Sequence, residues 1–525
     1  MGIAARIGFA GAALWVLTAC GGGGGGGNGG GISPGGGGGG NGSGTYTPGV
    51  FPSQASLAAQ CISPRAGTSD RAGSAFTEKM WLRSWTNDFY LWFNEVPDTN
   101  PGSVSVLQYF DTLKTTLTTP SQRPKDRFHF TFDTDEWIAL SQGGQSFGFG
   151  AELMIIANTP PRRAVVAFVE PGTPAASANV TRGMEVVRIN NVDFVNDNTQ
   201  AGVDTLNAAF FPSAAGQTFT FVFRPPAGPD LTAQMVTASI THQPVLLDTT
   251  LQQGADTVGY MVFNDHIATA EDQLFDAITR LQGVDDLILD IRYNGGGFLD
   301  IASELSYMIS GRTGTFESLV FNSKNPNRNP VLNQPLTPTP IHTTTQDFGN
   351  RTPGTPLPTL NLSRLYVITG PNTCSASESI INGLRGVGVE VFLIGSTTCG
   401  KPFGFFPQDN CGTTYFSIQF QGLNAMTFGD YPDGFAAVNQ TGAHSVELDG
   451  CSVGDDFTHQ FGDPLEARLK ATLAFRASGN LNTSCPAANG FAPGAQLKAG
   501  QPTMSGVDGY MIKSPLRENR IVRNR

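Results

Sequence analysis

The chain has few charged residues and lacks several patterns that would point directly to a ligand. Only 14% of its 525 residues are charged, and 43 acidic against 32 basic residues give a net charge of −11. No basic patch with interleaved aromatic residues interrupts this balance in the body of the chain, which argues against nucleic acid as a partner. No CxxC pair or Cys/His spacing suggests a metal, and the sequence calls for no cofactor.

Long apolar runs are also missing after residue 20. No run in that part of the sequence approaches the 18 or more apolar residues that a helix needs to cross a bilayer. Residues 1–20 carry one charge at Arg6, an apolar run, and a small-residue site that ends at Cys20. This pattern predicts a secretory signal. The tetrad Leu17-Thr18-Ala19-Cys20 resembles the bacterial lipobox, which implies cleavage before Cys20 and lipidation of its thiol. An ordinary signal cut near Ala19 is the alternative.

A glycine tract follows the signal. Residues 21–44 contain 18 glycines, so we expect 21–45 to be a flexible linker that holds a globular body off a membrane. Gly21 follows the lipobox cysteine where lipoproteins kept at the inner membrane often carry Asp. The resemblance therefore favours the cell envelope, with the lipid in the outer membrane and the body facing the periplasm. The membrane would be reached through the lipid alone.

Six cysteines remain without Cys20, an even number that predicts disulfides in an oxidising compartment. Their spacing favours a bond between Cys399 and Cys411 and one between Cys451 and Cys485.

Residues 46–135 are predicted to form a helical N-terminal domain. Aromatic residues recur there at intervals of three and four, which places them on one stripe of a helix between Phe76 and Val96: Trp81, Trp85, Phe89, Trp92 and Phe93. We interpret that stripe as core rather than as a ligand platform. A second helix is expected from Val104 to Thr116.

Residues 136–240 change to short alternating strands, which predicts a β-rich domain. The stretch Phe147-Gly148-Phe149-Gly150 resembles the carboxylate-binding loop of PDZ domains, and Glu170 to Phe194 is similar to the PDZ order of a Pro-Gly turn, a short helix and a strand ending in Ile-Asn. The resemblance implies that this loop binds a C-terminal carboxylate while the adjoining strand pairs with an extended peptide. A β-rich domain that binds no peptide is the alternative.

Residues 241–480 alternate strand and helix, which predicts an α/β core. Proline and threonine cluster between Asn325 and Thr359, and this composition predicts a surface insertion. Residues 481–525 are predicted to be a loop-like, mildly basic tail.

Three segments of the α/β part carry chemistry. The strand Leu287–Ile291 runs into Asn294-Gly295-Gly296-Gly297, a turn whose backbone N–H groups can face an anion. Ser375 stands at a strand-to-helix junction, where it either caps the helix in a box with Glu378 or acts as a nucleophile.

The third segment, Gly400-Lys401, is followed by three aromatic residues, Phe403, Phe405 and Phe406. An ordinary lysine with a pKa of about 10.4 is almost wholly charged near neutral pH. Apolar surroundings would favour the free amine that a general base requires. A surface lysine is the alternative.

Together, in this order, the segments resemble the tail-specific or C-terminal processing serine peptidases. The resemblance implies a ClpP/crotonase-like αβ peptidase core in an α+β multidomain chain, with Ser375 as nucleophile, Lys401 as general base, and Gly295, Gly296 and Ala376 as oxyanion-hole donors. Ser375 and Lys401 are 26 positions apart, close to the family spacing. Many members place a glutamine four residues after the lysine, whereas this chain has Phe405.

The resemblance predicts a lipid-anchored serine endopeptidase that binds polypeptide substrates by their C-terminal segment. A Ser/His pair involving His266, His242 or His459 is an alternative mechanism. A peptide-binding scaffold without activity and a hydrolase of non-peptide esters are alternative functions. Natural substrate and oligomeric state are not indicated by the sequence.

Overall fold

The computed structural model describes residues 45–102, 104–326, 338–440, 444–478, 484–491, 509–511 and 520–521. The predicted signal, Cys20 and the glycine tract up to Gly44 lie outside the described residues. Within the described part of the chain, no helix is both long and apolar enough to span a membrane.

A six-stranded sheet forms the centre of the α/β part. In spatial order its strands are Val245–Gln253, Asp256–Phe263, Asp286–Asp290, Arg364–Thr369, Glu390–Gly395 and Gly450–Ser452. The first two strands are antiparallel and all other neighbours are parallel. Met261 and Phe263 pack on one face while Tyr260 and Val262 pack on the other. Burial on both faces explains why these strands are almost continuously apolar.

Helices cover both faces of this sheet. Ala270–Arg280, Leu299–Ser310 and Ala376–Gly386 pack on one face, and Ala467–Ser478 packs on the other. The predicted alternation of strand and helix is confirmed. Because parallel strands joined by helices all point the same way, their carboxyl ends meet at one edge of the sheet.

A second sheet forms the β-rich part, which is also confirmed. Its strands in spatial order are Leu231–Val236, Thr218–Arg224, Glu185–Ile189, Arg163–Val169, Ala151–Ala157 and Tyr510–Met511, with Val192–Asp193 beside Glu185–Ile189. Helices Pro174–Ser177 and Gln200–Phe210 accompany it, and Gln145–Gly148 pairs separately with Ala238–Thr241. Phe149, Phe221 and Val203 belong to a core of its own.

The N-terminal part contains the two expected helices, at Ala75–Phe89 and Val106–Thr112. The helices Gln54–Leu57 and Thr134–Gly143, which were not predicted, accompany them, with a short 3₁₀ turn at Phe93–Glu95 and strands Gln60–Cys61, Arg71–Ala72 and Phe130–Asp133. Trp81 and Trp85 are buried and stack at 5.5 Å, which confirms them as core.

The prediction that the aromatic stripe lies on one helix as far as Val96 is wrong. The helix ends at Phe89, so Trp92 and Phe93 lie beyond it. The Leu91 N–H donates to the Ile418 carbonyl at 2.8 Å. That contact with a distant segment takes the backbone out of the helix.

Three disulfides join Cys61 to Cys411, Cys374 to Cys399, and Cys451 to Cys485. The predicted bond between Cys451 and Cys485 is confirmed, whereas the one between Cys399 and Cys411 is wrong. The segment before Cys411 lies against the N-terminal part, where the Ala59 N–H donates to Asn410 Oδ1 at 2.8 Å. Cys411 is therefore bonded to Cys61, which packing brings close to it, and not to Cys399, which is near it only in the sequence.

The remaining strands form smaller sheets around this frame: Thr315–Phe321, Thr339–Pro340, Phe403–Gly404, Phe420–Leu423, Gln408–Asn410, Thr413–Phe416, Phe435–Ala437, Val446–Leu448, and Gly297–Phe298 with Arg520–Ile521. The predicted surface insertion is only partly on the surface, because its Ile341 and Leu357 are buried in the main core.

Candidate active site

The three segments with the predicted catalytic groups directly follow neighbouring strands of the central sheet, at the same edge of that sheet. Asn294 follows strand Asp286–Asp290, Ser375 follows the adjacent strand, and Lys401 follows the next. The side chains of Ser375 and Lys401 are buried, each in a residue with 0% exposure. The fold therefore brings together segments that are far apart in sequence, in a place closed to solvent.

Asn294 connects the first segment to the second. Its carbonyl accepts the Cys374 N–H at 3.1 Å and the Ser377 hydroxyl at 3.0 Å. Its side-chain amide donates to the Phe263 carbonyl at 3.0 Å. The turn that carries Ser375 is thus fixed to the end of the strand next to it.

The glycine turn has a backbone that only glycine adopts readily. Gly296 and Gly297 have φ angles of 103° and 140°, and a Cβ on Gly297 would lie 2.4 Å from the His266 carbonyl oxygen. The Gly296 N–H donates to Asn294 Oδ1 at 3.0 Å, so it is engaged in this conformation. Gly295 is buried in the same turn. The oxyanion-hole role of these glycines stays a prediction.

Ser375 occupies a strained position at the start of helix Ala376–Gly386. Its φ of 60° and ψ of −116° lie outside the regions that non-glycine residues usually adopt. Its N–H donates to Glu378 Oε2 at 3.0 Å, the bond expected of the predicted capping acid. Ala376 is the first helical residue, so its N–H has no acceptor within the helix. The oxyanion-hole role of Ala376 needs an N–H of this kind and stays a prediction.

Glu378 does more than cap the helix. Its two carboxylate oxygens also accept the N–H groups of Gly400 and Lys401, each at 2.8 Å, and the hydroxyl of Thr398. One buried carboxylate therefore holds the backbone at Ser375 and at Lys401. The disulfide Cys374–Cys399, with a Cα separation of 5.1 Å, is a covalent tie between the same two segments.

Aromatic rings surround the Lys401 amine. Nζ lies 4.5 Å from the ring centroid of Phe405 and 4.8 Å from that of Phe128. Phe405, which replaces the family glutamine, is fully buried. Phe403, which was also predicted to surround the amine, packs against Trp92 with the ring centroids 4.7 Å apart. Of the two rings over the amine, Phe405 was predicted and Phe128 was not.

Sequence reasoning missed the contribution of the N-terminal part to this site. Phe128 lies over the amine, and the Arg127 guanidinium donates to the carbonyls of Cys399 and Gly400. No motif marks this pair. The same holds for Thr398, whose only sequence signal is its place beside the Gly400-Lys401 motif.

The three histidines of the alternative mechanism have other partners. His242 Nδ1 lies 3.1 Å from Glu170 Oε1, and His459 Nδ1 lies 2.7 Å from Asp456 Oδ2. His266 Nδ1 donates to Asn294 Oδ1 at 2.9 Å, and burial lowers its pKa to about 4. These bonds do not favour a Ser/His pair, and they assign His266 to the support of the glycine turn.

The predicted carboxylate-binding loop has two dissimilar phenylalanines. Phe147 is 45% exposed, whereas Phe149 packs in the β-rich core, 5.2 Å from Phe221. Gly150 has a φ of 80°, and a Cβ there would lie 2.4 Å from Thr173. Gly148 pairs with Ala238. The loop turns tightly into strand Ala151–Ala157, and its role in binding stays a prediction.

A buried ionic network attaches the β-rich part to the active-site edge. Arg182 donates to Asp455 at 2.9 Å and to the Tyr293 hydroxyl at 2.7 Å, while Arg292 donates to Asp455 at 2.8 Å. Burial opposes the charge on Asp455, but the neighbouring guanidinium groups outweigh it and hold the pKa of that carboxyl well below its usual range. The β-rich part is thus fixed to the residues just before Asn294.

Part of the chain is similar to a known family of peptidases. Residues 257–407 match the model of peptidase family S41. A carboxyl-terminal-processing protease from Picosynechococcus sp. is 24% identical over 278 residues, which cover 50% of this chain and 56% of that protein. The chain thus matches little more than half the length of that relative.

The fold has a solved counterpart. A crystal structure assigned to the S41 proteases, from Bacteroides fragilis, superposes with a TM-score of 0.55 at 21% identity, covering 76% of this chain and 97% of that one. The match to the family model contains the glycine turn, Ser375 and Lys401. The predicted resemblance to C-terminal processing peptidases is confirmed for residues 257–407, which are similar to peptidase family S41.

Proposed function

We propose that this chain is a serine endopeptidase in which Ser375 is the nucleophile and Lys401 the general base. The observation that carries the proposal is the bridge made by Glu378, which binds the N–H groups of both residues. A nucleophile and a base act together only when their relative position is fixed. The Cys374–Cys399 disulfide supports the same arrangement.

The reaction begins with transfer of the Ser375 hydroxyl proton to the Lys401 amine as Oγ attacks a peptide carbonyl. The N–H of Ala376 and a donor from the glycine turn stabilise the negative oxygen of the tetrahedral intermediate. Collapse gives an acyl-enzyme, and the leaving amine takes the proton from Lys401. Water, activated by the same amine, then releases the acyl group.

The surroundings of Lys401 suit a base that must be uncharged. Complete burial beside Phe405 and Phe128 disfavours an ammonium ion relative to a free amine. The aromatic faces partly compensate by attracting a cation, which stabilises the ammonium formed during the reaction. Phe405 thus takes the place of the family glutamine by a different interaction.

The substrate in this proposal is an exported polypeptide bound through its C-terminal segment. The loop Phe147–Gly150 opens into strand Ala151–Ala157, and strand addition beside such a loop is a recurring mode of peptide recognition. The lipid at Cys20 and the location at the outer membrane, facing the periplasm, are proposals that rest on the sequence.

The test is cleavage of an unfolded polypeptide with an apolar C-terminus by the protein from Tyr46 onward. We expect Ser375→Ala and Lys401→Ala to abolish cleavage while circular dichroism stays unchanged. Ser306→Ala and Lys470→Ala, a buried serine and an exposed lysine away from the site, serve as matched controls and should cleave normally. Binding without cleavage by the wild type would favour the scaffold alternative, and cleavage of esters alone would favour the esterase.

A further inference from the structure

The chain's own C-terminal part returns to the active-site edge at two described places. Tyr510–Met511 pairs antiparallel with strand Ala151–Ala157, and Arg520–Ile521 pairs parallel with Gly297–Phe298. The second pairing is made by the last residue of the glycine turn. The tail therefore contacts both the β-rich part and the predicted oxyanion segment.

In the first pairing, the tail runs in the direction expected of a peptide whose C-terminal carboxylate binds the Phe147–Gly150 loop. Tyr510 is opposite Ile155 and Met511 is opposite Met154, so the tail advances toward Gly150 and the loop predicted to bind a carboxylate. Strand Ala151–Ala157 is otherwise the last strand of its sheet. An exposed strand edge of this kind accepts an extended chain by main-chain hydrogen bonds.

Asn372 holds the other side of the same segment. Its Nδ2 donates to the Gly509 carbonyl at 3.0 Å, and its Oδ1 accepts the Met511 N–H at 3.0 Å. Residues two apart in a strand point their backbone groups to the same side, so one amide side chain binds both. Asn372 is 6% exposed and lies three positions before Ser375. The hydrogen bonds between Asn372 and the extended segment thus go to the backbone of that segment and not to its side chains.

The positions on either side of Tyr510 have different steric demands. A Cβ on Gly509 would lie 2.5 Å from the Ile155 carbonyl oxygen and 2.8 Å from Ile156 Cδ1. Met511 is 5% exposed and packs in an apolar cluster with Met154 and Tyr293. The site therefore takes a glycine followed, two residues later, by an apolar side chain.

We propose that Asn372 and the edge of strand Ala151–Ala157 form a binding site for extended polypeptide, and that the Gly509–Met511 segment occupies it in cis as a competitor of substrate. That the displaced ligand is a substrate rests on the proposed function, whereas the site and its occupant do not. Entry of another polypeptide requires the chain's own segment to leave.

The experiment measures binding of a fluorescent synthetic peptide of residues 505–514 to the full-length protein in a Ser375→Ala background, where nothing is cleaved. Gly509→Ala in the protein should release its own segment and tighten binding of the peptide at least tenfold. Met511→Asp should do the same, because it places a charge in an apolar cluster. Gly143→Ala, whose Cβ would meet only Gln145 at 3.7 Å, is the matched control and should bind like the background.

Adding Asn372→Ala to Gly509→Ala should reverse most of the gain in peptide affinity. The two hydrogen bonds between the Asn372 side chain and the peptide backbone are then lost. Equal affinity of the background, Gly509→Ala and Met511→Asp proteins would overturn the inference. So would a gain that Asn372→Ala leaves intact.

A second readout separates this inference from the proposed function. With Ser375 restored, Gly509→Ala should raise kcat/KM on a polypeptide substrate several-fold, and the 505–514 peptide should inhibit competitively. If no variant cleaves but the binding shift is present, the peptidase proposal fails while the cis occupant stands.

Discussion

Two buried glutamates of the same α/β core have opposite surroundings. Glu378 accepts the backbone N–H groups of Ser375, Gly400 and Lys401. Glu304, on helix Leu299–Ser310, lies beside Glu271 instead, and both are fully buried. Burial first, and then the charge of Glu271, raise the pKa of Glu304 to about 10.

The neighbour of Glu304 explains the difference. Glu271 accepts the N–H groups of Gln346, Phe348 and Gly349, which stabilise its charge. Two adjacent buried carboxyls cannot both ionise cheaply, so Glu304 keeps its proton. A buried carboxyl therefore joins chain segments only where N–H donors converge on it.

Among variants that keep both Ser375 and Lys401, the largest effect should come from Glu378→Gln. A glutamine offers one acceptor oxygen and turns an NH₂ group toward donors, so the Ser375 and Lys401 segments should separate. We expect kcat/KM to fall on the order of 10²-fold, the usual cost of misplacing reacting groups by about 1 Å. Glu304→Gln is the matched control. The account of Glu378 would be wrong if both variants cleaved a polypeptide at the wild-type rate.

Removing the disulfide between the Ser375 and Lys401 segments should lower activity less than Glu378→Gln does. The double variant Cys374→Ala/Cys399→Ala opens a disulfide of sequence separation 25, and we expect a loss of about 3 kcal/mol in the free energy of unfolding. Denaturant titration measures this loss, and a peptide assay should show a moderate fall in kcat.

The matched control is Cys451→Ala/Cys485→Ala, a disulfide with a separation of 34 that joins strand Gly450–Ser452 to Cys485. It should lose similar stability but little activity. Equal losses of activity in the two double variants would mean that Cys374–Cys399 acts through global stability alone.

Thr398→Val should weaken the Glu378 bridge by one donor. The Thr398 hydroxyl donates to Glu378 Oε1 and accepts the Phe435 N–H at 2.8 Å. We expect a loss of about 1–2 kcal/mol in stability and roughly a tenfold fall in kcat/KM. Thr397→Val is the control, because the Thr397 hydroxyl has no hydrogen-bond partner among the residues that the structure describes. Indistinguishable variants would contradict the prediction.

Glu304→Gln should have the smallest effect on activity but a visible effect on the pH dependence of stability. The folded-state pKa of Glu304, about 10, lies above the ordinary value of 4.5. The folded protein therefore holds the proton more strongly, and this contribution is full below pH 4.5 and is lost as the pH rises toward 10. Between pH 5 and 9 the Tm of the wild type should fall more than that of Glu304→Gln. Parallel profiles would show that Glu304 is not protonated in the folded state.

The sequence predicted the parts of this molecule that depend on neighbours in the chain. Alternating strands and helices, the glycine turn and the junction at Ser375 are local patterns set by periodicity and backbone preference. The buried pair Trp81 and Trp85 was predicted for the same reason.

Contacts between distant segments could not be predicted in this way. Phe128 over the Lys401 amine, Cys61 bonded to Cys411, and Met511 against Met154 join residues that no periodicity relates. Such contacts depend on how whole elements pack, which single-sequence patterns do not encode. The wrong pairing of Cys399 with Cys411 shows the limit, since closeness in sequence gave way to the packing of the N-terminal part.

The roles of Ser375 and Lys401 can be tested by the reaction of the protein with a serine-reactive phosphonate, followed by peptide mapping in a mass spectrometer. We expect a single modified residue, Ser375, and a rate of labelling that falls on the order of 10²-fold or more in Lys401→Met, which keeps the length of the side chain but removes the base. Labelling at another serine, or an unchanged rate in Lys401→Met, would contradict the assignment of Ser375 and Lys401.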